Sequence, residues 1–234
     1  MLDRRCEDMA QALDGVQDGA CIAISGFGES GRPNMLIKAL LDRGTRDITL
    51  ISNNAGEGHM GLASLLLAGR VRRLICSFPR GAMQGEIERL VRAGVLELEV
   101  TPQGTLAERL RAGGAGIPAF FTPTGFGTLI AQGKETREFD GRGYVMERAL
   151  TADFALVKAH RADRWGNLTY LNLARNFCPL VAAAGRRTIV EADEIVPLGA
   201  IPPEQVITPG IYTDVLMQSQ PVPDAAWPTP EKAA

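Results

Sequence analysis

Apolar and polar positions follow one plan three times between residues 36 and 100. In each repeat, apolar residues at helical spacing are followed by a glycine and then by a short apolar run. The first repeat has a helical stripe at 36–41, Gly44 and an apolar run at 48–52. The second has a stripe at 62–66, Gly69 and a run at 71–76, and the third has a stripe at 87–91, Gly94 and a run at 95–100. A glycine suits the left-handed residue just past a helix. Helices that alternate with short strands predict a single α/β domain with a mostly parallel sheet flanked by helices.

A glycine-rich loop precedes this plan, between an apolar strand at 20–24 and the helix that Pro33 opens. Residues 26–31 spell G-x-G-x-x-G, which is the spacing of dinucleotide-binding loops. Such a site needs an acidic residue at the end of the second strand to bind the ribose, but Asn53 and Asn54 stand there. Pro33 also lies where a phosphate would need free backbone N–H groups. Two interpretations remain, a tight turn without a ligand and the lining of a different site.

The pattern becomes richer in β-structure beyond residue 116. Strands are predicted at 119–122, 144–146, 153–159 and 188–192, and a charged stretch at 133–142 is predicted as a surface hairpin. Thr105 and Glu108 have the spacing of a capping box, which predicts that a helix starts there. From residue 220 onward, repeated prolines preclude regular structure. We therefore expect one domain over 1–219 and a proline-rich tail, disordered or extended, over 220–234.

Composition argues against several classes of protein. The chain is 45% hydrophobic and 22% charged, as ordinary soluble domains are, and its net charge of −2 argues against a nucleic-acid partner. No apolar run reaches the ~18 residues of a membrane span, and no apolar segment follows the charged N-terminus as in a signal peptide. The cysteines lack paired spacing, and His59 and His160 lack a second histidine at ligand spacing. We expect a cytoplasmic protein that binds no metal and no membrane.

Eight segments resemble, in the same order, motifs of the A (alpha) subunit of the family I 3-oxoacid coenzyme A-transferases. These segments are 18–33, 52–56, 75–79, 102–106, 113–120, 123–128, 154–159 and 174–177. The resemblance implies the α/β subunit fold of that family. It also implies an enzyme that moves CoA from succinyl-CoA to a 3-oxoacid, with no cofactor besides these thioester substrates.

The resemblance further implies that the chain is half of an enzyme. In the family a glutamate attacks the acyl-CoA, and a glutamyl-CoA thioester then passes CoA to the acceptor acid. That glutamate belongs to a Ser-Glu-Asn-Gly motif of the B (beta) subunit, and no such tetrapeptide occurs in this chain. Glu29, Glu57 and Glu191 are substitutes in principle, although each also fits a solvated loop or a strand end. We expect a lone chain to be inactive and an (AB)2 assembly with the B subunit to be active; the alternative is a non-catalytic acyl-CoA-binding or scaffold protein.

Two side-chain amides are the predicted catalytic residues. Gln103 follows the apolar run at 95–100 and Asn53 follows the one at 48–52, so both stand at the carboxyl ends of parallel strands, where open α/β sheets bind ligands. By resemblance they face the partner's glutamate and stabilise the negative oxygen that forms at the thioester carbonyl. A helix-entry role for Gln103 and a turn built from the asparagine amides are the structural alternatives. The other predicted residues of the substrate and CoA site are Gly26, Phe27, Gly28, Gly31, Asn54 and Gly125.

The chain departs from the family pattern at three places. Ser25 replaces the first glycine of the usual Gly-Gly-Phe. Glu29 and Ser30 replace a more apolar pair, and Leu171 stands where the family usually has an arginine. If that arginine binds an acid substrate elsewhere in the family, the substrate of this chain is unusual.

The identity of the acceptor acid is only weakly indicated. Residues 75–80 and 163–167 look more like the 3-oxoadipate enzymes. Residues 113–120 look more like the acetoacetate enzymes. We therefore prefer 3-oxoadipate slightly over acetoacetate.

Overall fold

The computed structural model describes residues 2–228 of the chain. Its strands are β1 (Cys21–Ile24), β2 (Ile48–Ile51), β3 (Val71–Cys76), β4 (Glu97–Val100), β5 (Ala119–Thr122), β6 (Thr136–Phe139), β7 (Arg142–Arg148), β8 (Ala152–Asp163), β9 (Leu168–Thr169), β10 (Gly185–Val196) and β11 (Val215–Gln218). Its α-helices are α1 (Met9–Ala12), α2 (Asn34–Arg43), α3 (Leu62–Leu67), α4 (Gln84–Arg92), α5 (Gln103–Gly114) and α6 (Cys178–Ala184). No helix within residues 2–228 is long and apolar enough to cross a membrane.

The main sheet has the order β11-β10-β8-β1-β2-β3-β4, and every neighbouring pair in this path is parallel. β9 adds an antiparallel pair to β8. The chain runs from β1 outward to β4 on one side of the sheet, and it later places β8 on the other side of β1. The predicted α/β fold with a mostly parallel sheet is thus confirmed. The reversal at β1 also opens a crevice at the carboxyl ends of the central strands.

The three predicted helix-and-strand units are present as α2–β2, α3–β3 and α4–β4. Gly44 ends α2 in the left-handed conformation, with φ +79° and its N–H donated to Leu41 O. One predicted face is wrong, because Val91 of α4 is 39% exposed. Helix α4 lies toward the β4 edge of the sheet and buries only Ile87 and Leu90 among its described residues.

The two faces of the main sheet carry two separate apolar cores. Successive residues of β1 point to opposite faces, so Ile22 and Ile24 belong to one core and Ala23 belongs to the other. Residues of α2, α3 and α4 complete the first core, and residues of α5 and α6 complete the second. Both faces are therefore covered, which explains why the strands appear in the sequence as continuous apolar runs.

The N-cap of helix α5 lies three residues before Thr105, the N-cap that the capping box predicts. Pro102 is its N-cap, with φ −52° and ψ 139°, and Gln103 is the first helical residue. Thr105 lies inside the first turn and is 4% exposed. Its hydroxyl has no hydrogen-bond partner within residues 2–228. The capping-box prediction is therefore wrong, because a proline with a fixed φ sets this helix start instead of a side-chain cap.

A separate antiparallel sheet has the order β5-β7-β6. β6 and β7 form the predicted charged hairpin, and Asp140 and Gly141 make its turn with φ values of 50° and 74°. Arg109 of α5 links this sheet to the main sheet. Its Nη1 donates to Glu99 Oε1 at 2.5 Å, and its Nε donates to Arg148 O at 2.8 Å.

The C-terminal half contains longer elements than the sequence predicts. β8 and β10 have 12 residues each and pair along most of their length, well beyond the predicted runs at 153–159 and 188–192. The apolar pattern also gives no sign of α6, because its small residues form no clear helical stripe.

The described part of the proline-rich tail, 220–228, packs on the domain. It is irregular apart from a 3-10 turn at Asp224–Ala226. Trp227 is 5% exposed and belongs to the first core, and Val222 packs against the same core. Residues 229–234 of the predicted tail lie outside the described residues, and the domain division at residue 219 stays a prediction.

Candidate active site

The residues that follow β2, β3 and β4 meet at the carboxyl edge of the main sheet. Asn53 follows β2, Ser77 follows β3 directly, and Gln103 opens α5 after β4. The backbone N–H groups of Ser77 and Phe78 both donate to Asn53 O at 3.1 Å. Pairing between β2 and β3 therefore continues beyond the strands and brings their polar end residues together.

Asn53 and Gln103 are in direct contact. Gln103 Nε2 donates a hydrogen bond of 3.0 Å to Asn53 Oδ1, and Ser77 Oγ lies 2.8 Å from the same oxygen as a second donor. Because Gln103 Nε2 is a donor and not an acceptor, it orients the Asn53 carboxamide with Oδ1 toward Gln103. Asn53 Nδ2 donates no hydrogen bond to a residue within 2–228. Its N–H groups, and the second N–H of Gln103, remain available to an oxygen atom of a ligand.

The structure separates the two structural alternatives, which were a helix-entry role for Gln103 and a turn built from the amides of Asn53 and Asn54. Gln103 does begin a helix, but its side chain bonds to Asn53 and not to a backbone group. Asn54 Oδ1 accepts a hydrogen bond from Gly56 N at 3.0 Å, so Asn54 builds the side-chain turn. Asn53 is 3% exposed and holds the position at the strand end. The two asparagines therefore have different tasks.

Ser77 is a residue to which the sequence pattern assigns no role. It contacts both oxygens of Asn53, with its Oγ 2.8 Å from Oδ1 and 2.9 Å from the backbone oxygen. Its position directly after β3 matches that of Asn53 near the end of β2. This equivalence of strand ends is the signal in the sequence that identifies Ser77.

The glycine-rich loop after β1 is closed by its own hydrogen bonds. Phe27 N donates to Ser30 O at 2.9 Å, and Ser30 N donates to Phe27 O at 3.2 Å. Gly28 lies between them with φ +58° and no atom near the place of a Cβ. Gly31 has φ +75°, and a Cβ there would lie 2.6 Å from Ala174 O. Glycine is therefore required at 31 both by conformation and by close packing.

Ser25 ties this loop to β8. Its side chain is fully buried. Its Oγ donates to Gly31 O at 2.8 Å and accepts from Lys158 N at 3.1 Å. The hydroxyl that replaces a glycine of the family pattern therefore connects the end of the loop to the neighbouring strand.

The N-terminus of α2 already holds a carboxylate. Leu36 N, in its first turn, donates a hydrogen bond of 2.9 Å to Glu191 Oε2. Glu191 is 2% exposed, Lys158 Nζ lies 3.2 Å from its Oε1, and burial raises the pKa of its carboxyl. Since an acidic group occupies this helix end, a dinucleotide phosphate has no free N-terminus to bind.

Phe27 borders an open cleft beside the glycine loop. Its ring is half exposed. The cleft has a volume of about 460 Å³ and is lined by Phe27, Ser30, Asn172, Leu173, Arg175 and Asn176. Asn176 Nδ2 donates to Ser30 O at 3.0 Å, so the segment before α6 holds the loop from the far side.

Arg32 is a buried cation between the loops after β1 and β2. A Cβ on Gly26, which has φ +121°, would lie 2.6 Å from Arg32 Cγ, and a Cβ on Gly61 would lie 2.9 Å from Arg32 Cζ. The side chain is 2% exposed and pairs with the carboxylate of Glu29. Burial lowers the pKa of Arg32 to about 10, so the guanidinium stays charged at neutral pH.

Gly125 lies in a turn of the segment that follows β5. It has φ +87° in the loop after β5 of the antiparallel sheet. Its backbone oxygen accepts hydrogen bonds from Thr128 N at 3.1 Å and from Thr128 Oγ1 at 2.7 Å. The structure therefore gives Gly125 a place in a turn and no hydrogen bond to the predicted catalytic residues.

The family model described as Coenzyme A transferase matches residues 6–219. The chain belongs to the coenzyme A transferase family. It is 56% identical over 212 residues to the A subunit of the 3-oxoadipate CoA-transferase of Pseudomonas putida, with 91% of this chain and 92% of that protein covered. It is also 56% identical over 215 residues to the A subunit of the succinyl-CoA:3-ketoacid coenzyme A transferase of Xanthomonas campestris pv. campestris (strain B100), with 92% of this chain and 88% of that protein covered.

A solved structure confirms the family fold. The chain matches the crystal structure of the acyl-CoA transferase apoenzyme from Escherichia coli O157:H7 with a TM-score of 0.80 and 22% identity. The match covers 93% of this chain and 47% of that chain, so this chain spans about half the length of that transferase. At this identity the likeness establishes the fold alone. The resemblance and the fold predicted from the sequence are both confirmed.

Within residues 2–228, no glutamate considered as a nucleophile is hydrogen-bonded to the amides of this CoA-transferase family chain. Glu191 is held by Leu36 N and Lys158. Glu29 pairs with Arg32, and Glu57 is exposed in the loop after β2. The amides of Asn53 and Gln103 therefore lie at the sheet edge without a hydrogen bond to any of these three glutamates.

The buried cysteines Cys76 and Cys178 are not reactive at neutral pH. Burial raises the pKa of the Cys76 thiol to about 12 and that of the Cys178 thiol to about 11, so neither forms a thiolate at neutral pH. In the part of the chain that the structure describes, no group of three His, Cys, Asp or Glu side chains is placed to hold a metal ion.

Proposed function

We propose that this chain is the A subunit of a two-subunit 3-oxoacid CoA-transferase that moves CoA from succinyl-CoA to a 3-oxoacid. The nucleophilic glutamate comes from the B subunit. The observation that carries this proposal is the contact between Asn53 and Gln103, which presents oriented N–H donors at the carboxyl edge of the sheet. The names of the relatives and the absence of a Ser-Glu-Asn-Gly motif support it.

Each step of the proposed transfer builds negative charge on a carbonyl oxygen. Attack of the glutamate carboxylate on the thioester carbonyl gives a tetrahedral oxyanion, which collapses to a mixed anhydride and a CoA thiolate. The thiolate then attacks the glutamyl carbonyl, so that the first acid leaves and glutamyl-CoA remains. The acceptor acid then takes CoA from glutamyl-CoA by the same steps in reverse order, through a mixed anhydride of glutamate and the acceptor. Fixed neutral donors stabilise each of these oxyanions without being consumed.

Asn53 and Gln103 supply those donors in this proposal. Ser77 and Gln103 hold Asn53 Oδ1, so turning Asn53 Nδ2 away from an incoming oxygen breaks the hydrogen bond from Gln103 Nε2. The low exposure of Asn53 strengthens the interaction because few water molecules screen it. The glutamate that attacks the carbonyl then has to reach this edge from the partner chain.

We propose 3-oxoadipate as the acceptor in preference to acetoacetate. The Pseudomonas and Xanthomonas relatives carry different acceptor names at the same 56% identity, so identity does not separate the two acids. The motif at 163–167 forms a turn, in which Asp163 Oδ1 accepts from Trp165 N at 2.9 Å. The motif at 75–80 contains Ser77, which contacts Asn53. We further propose an (AB)2 assembly in the cytoplasm, with CoA thioesters and no added cofactor.

The test compares the lone chain with a complex formed with the B subunit from the neighbouring reading frame. We expect CoA transfer from succinyl-CoA by the complex and none by the chain alone. After incubation with succinyl-CoA and reduction with borohydride, mass spectrometry should find the modified glutamate on the B subunit. Modification of Glu29, Glu57 or Glu191 would contradict the two-subunit proposal. Binding of acyl-CoA by the complex without transfer would favour the non-catalytic alternative.

A further inference from the structure

The hydroxyl of Ser77 has one proton and two oxygen atoms within hydrogen-bond distance. Its Oγ lies 2.9 Å from the backbone oxygen of Asn53 and 2.8 Å from Asn53 Oδ1. The backbone oxygen already accepts from Ser77 N and Phe78 N at 3.1 Å each, and a carbonyl oxygen has two lone pairs. Among residues 2–228, Oδ1 accepts otherwise only from Gln103 Nε2. This network assigns the Ser77 proton to Oδ1.

Hydrogen bonds to Oδ1 strengthen the donor at the other end of the same carboxamide. Ser77 and Gln103 together occupy both lone pairs of Oδ1. In a site of low dielectric constant, connected hydrogen bonds polarise one another and become stronger by about 10–30% per bond. Asn53 is 3% exposed, so few water molecules weaken this effect. Its Nδ2 is therefore a stronger donor to a negative oxygen than the nitrogen of an isolated carboxamide is.

Pairing between strands on both sides of β3 holds Ser77 in place. Toward β2, Ser77 N donates to Asn53 O. Toward β4, Thr101 N donates at 2.9 Å to the oxygen of Cys76, the residue before Ser77. Thr101 is followed by Pro102 and then by Gln103. The end of β3 is thus hydrogen-bonded to both segments that carry the predicted catalytic amides, and this fixes the hydroxyl before a substrate binds.

Ser77 and Gln103 have different effects on Asn53. Gln103 Nε2 only donates, so it determines which end of the carboxamide faces it. The Ser77 hydroxyl donates and accepts, so it tolerates either end. Removal of the Ser77 hydroxyl therefore leaves the orientation of Asn53 unchanged and removes one of the two hydrogen bonds that polarise its carboxamide.

We infer that Ser77 is a positioning residue that increases the donor strength of Asn53 Nδ2 when the oxyanion forms, and that it acts through Asn53 alone. The inference rests on the proposed function and adds a residue to its machinery. A direct contact between Ser77 Oγ and the substrate is the competing role, since Ser77 is only half-buried. The experiment separates the two roles.

The kinetic test uses the complex of this chain with its B subunit, succinyl-CoA as the donor, and the better of 3-oxoadipate and acetoacetate as the acceptor. We expect Ser77→Ala to lower kcat about 3- to 10-fold, which is the effect of one hydrogen bond. KM should change less than about twofold, because the oxyanion is absent from the bound ground state. Ser77→Thr keeps the hydroxyl and should restore most of kcat. In an Asn53→Ala background, Ser77→Ala should lower kcat no further, since the two residues act as one unit.

Two further measurements keep the outcomes distinct. Ser64→Ala is the matched control, because it removes a buried hydroxyl that donates to Gly61 O at 2.6 Å at the start of α3. It should lower the unfolding temperature and leave kcat unchanged. Nuclear magnetic resonance of the complex with isotope-labelled asparagine needs no turnover. The side-chain signal that Asn53→Ala removes is that of Asn53, and Ser77→Ala should move it upfield because Oδ1 loses a hydrogen bond.

Three results would overturn the inference. The first is an unchanged kcat in Ser77→Ala, and a rise in KM beside it would assign the hydroxyl to a contact with the substrate. The second is a loss of kcat that adds to the loss caused by Asn53→Ala. The third is an Asn53 signal that Ser77→Ala does not move. If the wild-type complex transfers no CoA, the proposed function fails, and the Asn53 signal still decides whether Ser77 polarises this carboxamide.

Discussion

At the scale of single residues, the proposed chemistry depends on the orientation of one carboxamide. Asn53 Oδ1 receives hydrogen bonds from Ser77 and Gln103. A flipped amide would place Nδ2 against the donor Nε2 of Gln103 and lose that hydrogen bond, at about 1 kcal/mol, whereas the Ser77 hydroxyl accepts as well as donates. The site is therefore organised before substrate arrives, and it is organised without a charged group of this chain.

Gln103→Ala should lower kcat about 10²–10³-fold, which is the usual effect of losing one oxyanion donor. The thermal unfolding temperature should change little, because Gln103 is exposed and its only described side-chain hydrogen bond goes to Asn53. Steady-state kinetics of the complex with the B subunit, together with thermal unfolding of the variant, measure the two effects. Gln84→Ala is the matched control, since Gln84 is the exposed first residue of α4 and its side chain bonds to Glu88 on the same helix. An unchanged kcat, or an unfolded variant, would make Gln103 a structural residue.

The sequence predicts some of these residues and misses others for a physical reason. Asn53 and Gln103 are predictable because strand ends follow from apolar runs, and parallel strands end at one edge. Their mutual contact, and the part played by Ser77, depend on how three loops pack. The burial of Arg32 depends in the same way on two glycines from different loops. Charged residues in glycine-rich loops are ordinarily solvated, so sequence reasoning has no ground for expecting burial there.

At the scale of elements, the glycine loop is fixed by partners far along the chain. The first turn of α2 is capped by Glu191, 155 residues away from Leu36. Ser25 joins the loop to Lys158 of β8, 133 residues away. A local pattern of glycines and one proline predicts a strand, a loop and a helix, but it cannot show that a carboxylate occupies the helix end. That distant contact is what separates this loop from a dinucleotide-binding one.

Ser25→Gly should destabilise the protein by about 1–3 kcal/mol, because Lys158 N and Gly31 O lose a buried hydrogen-bond partner. For a chain of this size, that loss lowers the unfolding temperature by about 2–4 °C per kcal/mol. Activity should stay within a few-fold, since the hydroxyl bonds to the loop and to β8 and not to the catalytic amides. Thermal unfolding and kinetics of the variant measure both effects.

The matched control for this change is Ser30→Gly, which removes a half-buried hydroxyl from the same loop. It should alter the unfolding temperature less than Ser25→Gly does. A large loss of activity in Ser25→Gly at an unchanged unfolding temperature would contradict a purely structural role and would assign the hydroxyl to the reaction.

At the scale of the whole molecule, the three regular units supply three of the eight strands of the main sheet, and the rest of the architecture depends on contacts between distant segments. The repeated plan of helix, glycine and strand predicts β2, β3 and β4 with their helices. The separate sheet of β5, β6 and β7 is not predictable, because the same β-rich residues also fit an extension of the main sheet. Its position depends on Arg109, which bonds to Glu99 on β4 and to the backbone of β7. A buried arginine inside a helix gives no local sign of such a link.

The tail offers the last test of how the whole chain folds. Trp227→Ala should reduce the free energy of unfolding by about 3–5 kcal/mol, as large-to-small changes of a buried aromatic residue do, because Trp227 is 5% exposed in the first core. Asp224→Ala, an exposed change in the adjoining 3-10 turn, should alter it by no more than about 0.5 kcal/mol. Urea unfolding followed by circular dichroism compares the two variants with the wild-type chain. If Trp227→Ala lowers the free energy of unfolding no more than Asp224→Ala does, the tail is disordered in solution and the folded domain ends before it. A difference of several kcal/mol would show that residues 220–228 stabilise the core.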